Sequence, residues 1–519
     1  MDYNDLVDRV AQQDGQWSPK AGYEGGKRTR ATRLWNPRNR PADVERRDDA
    51  EMLTARARWL GRNNPLCINA RDCYVNNVIG EMIRTKSQIR TADGELMADM
   101  NKQSDEVYKK WMDQADVRGR AHWAEMARTN LHETIESGNG FLIETSIDDP
   151  TRILPIAFES VEYDQLDRTK DRPPGKDVNE IRNGIEFDAR GRRVFYHFYT
   201  QHPQGTWTTF AQDSERIPAS RVIHLFKAKR PTQTIGVSWF APIVKQLWDF
   251  YEYQTHEINA AKVASYFVYM LKREEQGELG IPDEDGETTP TDDATDAPEV
   301  PIGPGIALTG SPRDSLEVIQ SNRATAPDAW LKLMMQTMGA GLGLSYQRFT
   351  GDFSQTNFSS SRAADLQDRK GFLPLQNWHQ WYVDLEVRKR VMRQAFAFGL
   401  IQVPSGGLAR FNRNPERWIA CKGIPPGWGY VDPGKQVAAS IAAIGSGLST
   451  FERELGAIGL DFEEVLPTLA NEIKRFGELG VPLANVFPQA PKPAARPADD
   501  REEQDNEDQK RQEQDEDDE

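Results

Sequence analysis

The alternation of apolar and polar positions predicts helices first, then strands, then helices again. Helical periodicity begins near Val44. The run Arg58-Trp59-Leu60-Gly61-Arg62-Asn63-Asn64-Pro65 reads as a helix end and a turn, with Pro65 opening the next helix. Trp123, Ala127, Leu131 and Ile135 recur every four residues, predicting an amphipathic helix that stops at Gly138-Asn139-Gly140. Phe141-Leu142-Ile143-Glu144 then reads as a strand.

Over 153–226 the period shortens to that of strands. Gly184-Ile185-Glu186-Phe187 and 193–199 flank Asp188-Ala189-Arg190-Gly191, a glycine-containing hairpin loop, and 221–226 is a further strand. A long helix is predicted over 239–272, with Pro242 in its tolerated first turn and Ile243, Leu247, Tyr251, Ile258 and Ala261 on one face. At ~1.5 Å per residue it would reach ~45–50 Å. A second helix is predicted over 327–338, ended by Gly339-Ala340-Gly341-Leu342-Gly343. Another restarts near Asn357, with Asn357 or Ser359 as its cap, and Gly371 and Pro374 predict a kink. Trp378, Trp381, Leu385, Met392 and Phe396 mark its expected buried stripe. The fold class expected is α+β.

Composition changes this picture mainly at three segments. Between Trp17 and Arg40 seven Lys/Arg face one acid, Glu24, with Trp17, Tyr23 and Trp35 interleaved. That mixture can bind phosphates and stack bases; the acidity of the whole chain favours instead a strap on a neighbouring acidic subunit, anchored by its aromatics. Residues 274–299 hold eleven acids and no basic residue, which predicts a solvated insertion. After Pro488 the chain turns Pro/Ala-rich, and 499–519 carries a net charge of −10 out of −15 for the whole chain, predicting a disordered tail.

The candidate chemistry is sparse. Three cysteines (Cys67, Cys73, Cys421) without a Cys-x-x-Cys spacing argue against disulfides and a zinc site, and suit a reducing compartment. The seven histidines have no metal-ligand spacing, and His224 reads as a satisfied strand residue. No nucleotide loop or nucleophile elbow occurs; the 339–343 glycines end a predicted helix rather than opening one. Ser359-Ser360-Ser361-Arg362 offers no base, because Arg362 stays protonated. Asp461, Glu463 and Glu464 read as a helix start with favourable acids. No catalytic residue, cofactor or metal is expected. Nor is a signal peptide or membrane span, so the expectation is a soluble, cytosolically made protein.

Taken in order, several short motifs resemble the lambda-type phage portal family over roughly residues 50–470. They are Arg62-Asn63-Asn64-Pro65, Asp164-Gln165-Leu166-Asp167, Gly184-Ile185-Glu186, Val222-Ile223-His224 and Arg230-Pro231-Thr232-Gln233 with Gly236-Val237-Ser238-Trp239. Then follow Gly341-Leu342-Gly343-Leu344-Ser345-Tyr346, Asp352-Phe353-Ser354, Asn357-Phe358-Ser359-Ser360-Ser361-Arg362 and Val431-Asp432-Pro433.

The resemblance implies a portal fold and a ring, typically a homododecamer, at the capsid vertex of a virion assembled in the host cytoplasm. Implied partners are double-stranded DNA in transit, the major capsid protein, the large terminase and a head-tail adaptor. It implies a wing (46–235), a stem helix (236–272) and a clip with the acidic insertion (273–325); the basic N-terminal arm (1–45), read from composition, lies outside the resemblance. A second stem helix (326–346), a tunnel loop with a kinked helix (347–400) and a helical wing/crown region (401–485) complete it; the disordered acidic tail (486–519), like the arm, is read from composition and not from the resemblance. Ser354, Gln355, Thr356 and Asn357 are the implied DNA-facing tip. Asp283, Glu284, Asp285, Glu287, Asp292 and Asp293 are the expected partner-facing acids of the clip. A tip without Lys or Arg suits a conduit, since dense cations would trap the polyanion. Alternatives from other classes are a minor head protein or a DNA-processing enzyme; the latter needs a phosphate loop or metal-binding acids.

Overall fold

The computed structural model describes residues 29–480, apart from 31, 177, 206–212, 266–268, 274–313, 319–327, 355–356, 405–406 and 430–431. The expected partner-facing acids Asp283, Glu284, Asp285, Glu287, Asp292 and Asp293 lie outside the described residues, as do Gln355, Thr356, most of the basic arm and the acidic tail.

Two compact units are present. The smaller combines residues up to 50 with 228–234. Its helix α1 (Ala42–Arg47) follows Pro41, and Thr234 donates from both N and Oγ1 to Asp43 (3.0 and 2.7 Å). Arg230 pairs with Glu45 at 2.9 Å, and Gln233 accepts from the Lys229 amide, so the Arg-Pro-Thr-Gln motif is a folded turn.

In the larger unit α2 (Ala50–Asn63) and α3 (Pro65–Val78) meet where predicted. Asn64 is the N-cap, accepting from Leu66 N and Cys67 N, and Pro65 takes the position that needs no amide donor. Next come β1 (Arg84–Ser87), α4 (Ala98–Met112) and α5 (Trp123–Ser137), the last closed by left-handed Gly138. β2 (Asn139–Ser146), β3 (Ile156–Val161), β4 (Glu180–Arg182), β5 (Ile185–Phe187), β6 (Arg193–Tyr199), β7 (Ser214–Pro218) and β8 (Val222–Phe226) form two antiparallel sheets, ordered β3-β2-β8 and β4-β5-β6-β7.

The first of these sheets is a middle layer, as strand parity shows. Leu142, Phe158, Ile223 and Leu225 face a large core with Trp111, Trp123 and Leu131. Phe141, Ile143, Val161 and Val222 face a second core with Ile185, Tyr196, Phe198 and Ile217 of the other sheet. Both faces of β2 are buried, so its first five residues are all shielded from solvent. The hairpin expected around 188–191 is present, with a bulge between Glu186 and Phe187.

The long helix expected over 239–272 is shorter. α6 spans Val244–Ser265, ~33 Å at ~1.5 Å per residue, and β9 (Tyr269–Arg273) pairs antiparallel with β10 (Asp314–Val318). The aromatic and β-branched residues from Tyr266 favour extended backbone over helix. Only the first part of α6 enters the core, through Val244, Leu247 and Phe250; from 251 to 262 no residue is buried. Ile258, expected on the apolar face, is exposed.

The second helix is longer than expected. α7 (Asp328–Leu342) continues through Gly339 and Gly341 and ends at left-handed Gly343. A Cβ on Gly341 would lie 2.7 Å from Ile243 Cγ2, so this glycine makes room for a neighbouring side chain rather than stopping the helix. α7 buries only Met338 and Gly339, and Trp330 meets Tyr253 of α6 edge-on, centroids 6.4 Å apart.

α8 (Tyr346–Thr350) precedes α9 (Phe358–His379), which Gly371 and Pro374 do not break. The irregularity comes later, as a π turn at Gln380–Asp384 leading into α10 (Leu385–Ala397). That extra residue shifts the buried face onto Val383, Val387 and Val391, and leaves Trp381, expected in the stripe, 62% exposed. Met392 and Phe396 are buried as expected. α11 (Gly407–Arg413), α12 (Pro415–Trp418) and β11 (Cys421–Ile424), antiparallel to β1, lead to α13 (Pro433–Gly445), α14 (Phe451–Ala457) and α15 (Phe462–Glu478). These last three helices bury no residue.

Candidate functional site

The DNA-facing loop implied by the resemblance runs from Gly351 to Asn357, and its described residues are tied down at both feet. Gly351, left-handed at φ 76°, ends α8. Asp352 then organises the turn: its amide donates to Thr350 Oγ1 (3.2 Å), and its carboxylate accepts from Tyr346 Oη (3.1 Å) and from Ser354 N and Oγ (2.9 and 2.6 Å). Those donors, Ser354 first, hold the Asp352 carboxyl below the usual carboxylate range. At the other foot Asn357 Oδ1 accepts from Ser360 N (2.8 Å) and caps α9; of the two caps considered, Asn357 is the one used.

Ser354 and Asn357 are both exposed, yet each has its side chain engaged locally. Phe353 between them is 54% exposed. The loop borders an open cavity of about 620 Å³ between α3, α8 and α9. Arg348, Asp365, Asp368 and Arg369 cross it as an ion-pair network: Arg348 pairs with Asp365 and lies 3.7 Å from Asp368, and Arg369 pairs with Asp365 at 2.7 Å. None of these four stands out in the sequence, because their pairing depends on how α8 folds onto α9.

Most motif residues elsewhere serve the fold. His224 is satisfied as expected: Nε2 lies 3.1 Å from Asn139 Oδ1, Nδ1 lies 3.3 Å from Tyr196 Oη, and the ring stacks on Phe141. Asp167 accepts from Thr169, Tyr199 and Ser214. Gly184 packs against the Asp167 carbonyl so closely that a side chain would collide with it. In Gly236-Val237-Ser238-Trp239, the Trp239 amide donates to Ile135 O (3.0 Å) and Ser238 Oγ donates to the same carbonyl (3.3 Å).

Two polar clusters resemble sites and are better explained by charge pairing. Glu162, Asp164 and His202 bring possible ligand atoms within 4.8 Å of one another. Arg58 already supplies their cation, pairing with Asp164, with Glu133 at 2.8 Å and with Glu162 at 3.6 Å. Burial works to lower the Arg58 pKa, but Glu133 and Asp164 outweigh it and raise it. On the outer face of the four-stranded sheet, Arg216 holds Glu186 with two bonds (2.7 and 2.8 Å) and stacks over Phe195; His197 Nε2 is 2.9 Å from the same carboxylate. The Arg216 bonds, opposed by desolvation and aided by His197, hold Glu186 down to about 2. Burial pushes the Cys67 thiol up to about 12, which makes it an inert core residue. Asp461 starts α15 but its side chain does not cap it; it pairs with Lys422 at 3.0 Å instead. Among the described residues no helix is long and apolar enough to cross a membrane.

Residues 28–376 match the lambda family of phage portal proteins. The chain is 24% identical to a probable portal protein of Halomonas phage phiHAP-1, over 89% of this chain and 88% of that one. It is 22% identical to the portal protein of Escherichia phage N15 (88% and 91% covered) and 21% identical to portal protein B of Escherichia phage lambda (87% and 89% covered). Among solved structures, a chain in the neck of a native gene transfer agent particle computed with C12 symmetry superposes with a TM-score of 0.43. It shares 11% identity, over 79% of this chain and 93% of that one.

Proposed function

The chain belongs to the lambda family of phage portal proteins, and on that premise we propose that copies of it close into a ring at the capsid vertex through which double-stranded DNA enters and leaves. Twelve copies are the family's expectation. The role is structural: the ring guides DNA and carries docking surfaces, while the terminase does the chemical work of packaging.

One observation supports the ring above the others. α6 buries no residue from 251 to 262 and α7 none before Met338, and their large apolar side chains Trp248, Ile258, Trp330 and Leu333 are 43–58% exposed. An isolated subunit carries this apolar surface into water; neighbouring copies related by rotation would cover it in a closed ring. The acidic insertion, joined to these helices through β9 and β10, is the proposed docking surface for the terminase and the head-tail adaptor. Asp283, Glu284, Asp285, Glu287, Asp292 and Asp293 would supply its charge. The major capsid protein would hold the rim.

Ser354, Gln355, Thr356 and Asn357 are proposed to face the DNA, in contacts weak enough for water to replace. Replacing Gln355 and Thr356 with Arg tests this. Twelve copies would place about twenty-four added charges beside the DNA path, so packaging should slow, and more so at low salt. Replacement with Ala should be mild. An Arg variant that packages like the parent at low and high salt would show that these residues do not face DNA.

A further inference from the structure

A helix of five residues cannot hold its own shape, because nucleation fixes several dihedrals for each early hydrogen bond. α8 has only five, and the glycines that bound it, Gly343 at φ 80° and Gly351 at φ 76°, allow the backbone to swing on both sides. Its order comes from outside. At its start Ser345 donates from N to Asp368 Oδ1 (3.0 Å) and from Oγ to Asp368 Oδ2 (2.6 Å), while Ser345 Oγ also accepts from Arg348 N. At its end Asn69 of α3 places one amide nitrogen on two carbonyls, Arg348 O at 2.7 Å and Phe349 O at 2.9 Å. These are carbonyls that a short helix leaves without partners. Arg348 pairs sideways with Asp365, and Phe349 is buried beneath.

From these contacts we infer that Asn69 and Asp368 are positioning residues for the feet of the Gly351–Asn357 loop, setting where Asp352 and Ser354 stand by clamping the two ends of α8. The inference rests on the reading of that loop as DNA-facing. The link to Ser354 is continuous: α8 carries Tyr346 and Thr350, these hold Asp352, and Asp352 holds Ser354. Asp365 and Asp368 lie on α9, the helix that Asn357 caps. The clamp therefore joins the loop's two feet to each other, and Asn69 joins them to α3. Loss of Asn69 frees the loop without opening the core, because Asn69 is itself at the surface.

The test is hydrogen exchange on the assembled full-length protein, followed peptide by peptide, together with packaging rate. Asn69→Ala removes two hydrogen bonds of modest net strength, so amides over 346–354 should exchange about tenfold faster. The second half of α9 should be unchanged, and packaging should slow. Asn69→Asp, nearly isosteric but without the donor, should do the same and guards against a folding defect; Asn69→Gln should recover part of the protection. Unchanged exchange over 346–354 in both Asn69→Ala and Asn69→Asp overturns the inference. So does faster local exchange with packaging at the parent rate, since the clamp would then hold α8 with no consequence for DNA. Failure of the DNA-facing reading shows itself separately, in the Gln355 and Thr356 arginine variant.

Discussion

Gly138 and Gly236 lie backbone to backbone: a Cβ on Gly236 would strike the Gly138 carbonyl, and one on Gly138 would strike the backbone of Val237. Asn139 reinforces the junction, its Oδ1 accepting from the Gly236 amide at 2.7 Å. This contact brings the chain that leaves β8 back onto the end of α5, and so fixes where α6 begins. Gly236→Ala should destabilise the protein by about 1–3 kcal/mol, the usual cost of overpacking a close contact. Denaturant unfolding measures it; a midpoint equal to the parent's would mean the junction yields freely.

The buried Arg388 is held by Asp105, by Ser87 Oγ at 2.8 Å and by Thr85, beneath the β1–β11 pair. Asp105→Ala leaves a buried guanidinium without its counter-charge and should cost about 3–5 kcal/mol. Arg393→Ala breaks an exposed pair with Glu416 and should cost under about 1 kcal/mol. Equal effects in the two variants would contradict the assigned role of Arg388.

Glu186, held down to about 2 by Arg216 and His197, gives the outer sheet a pH signature. Its folded value lies below the unfolded one, so its contribution to stability is complete above the ordinary carboxylate pKa of ~4.3. The contribution is lost as pH falls from there toward 2. In Glu186→Gln the acid-side loss of stability should be shallower over that window, measured by unfolding at stepped pH. Parallel pH profiles for variant and parent would show that the cluster contributes nothing.

The acidic insertion should be dispensable for folding. Over 274–299 it carries eleven acids and no basic residue, a composition with little apolar surface to contribute to a core. Deleting residues 283–296 should therefore preserve the soluble ring while weakening terminase or adaptor docking in a pull-down. Loss of soluble protein on deletion would make the segment structural.

What the sequence made legible was local. Asn64 with Pro65, the 188–191 hairpin and Gly138 at the end of α5 are punctuation that acts within a few residues, and each stands where the pattern placed it. Errors arose where neighbours decide. Residues 266–273 continue an apolar run, and periodicity alone does not separate a helix from a strand there. Gly341 reads as a stop because the partner that needs it small, Ile243, lies about a hundred residues away. The π turn at Gln380–Asp384 shifts the phase of α10 by one residue and moves Trp381 outward, with no sequence mark. At the candidate site, Gly351 and the Asn357 cap were readable. Asn69 was not, since it meets α8 only after nearly 280 residues of chain have folded.

A portal subunit must assemble into a closed ring. Light scattering of the purified chain, without nucleotide or metal and across micromolar concentrations and varied salt, tests it directly. Twelve copies of a 58.9 kDa subunit predict a particle on the order of 700 kDa that persists on dilution. A protein that remains monomeric or dimeric under every condition would contradict the ring, and with it the proposed path of the DNA.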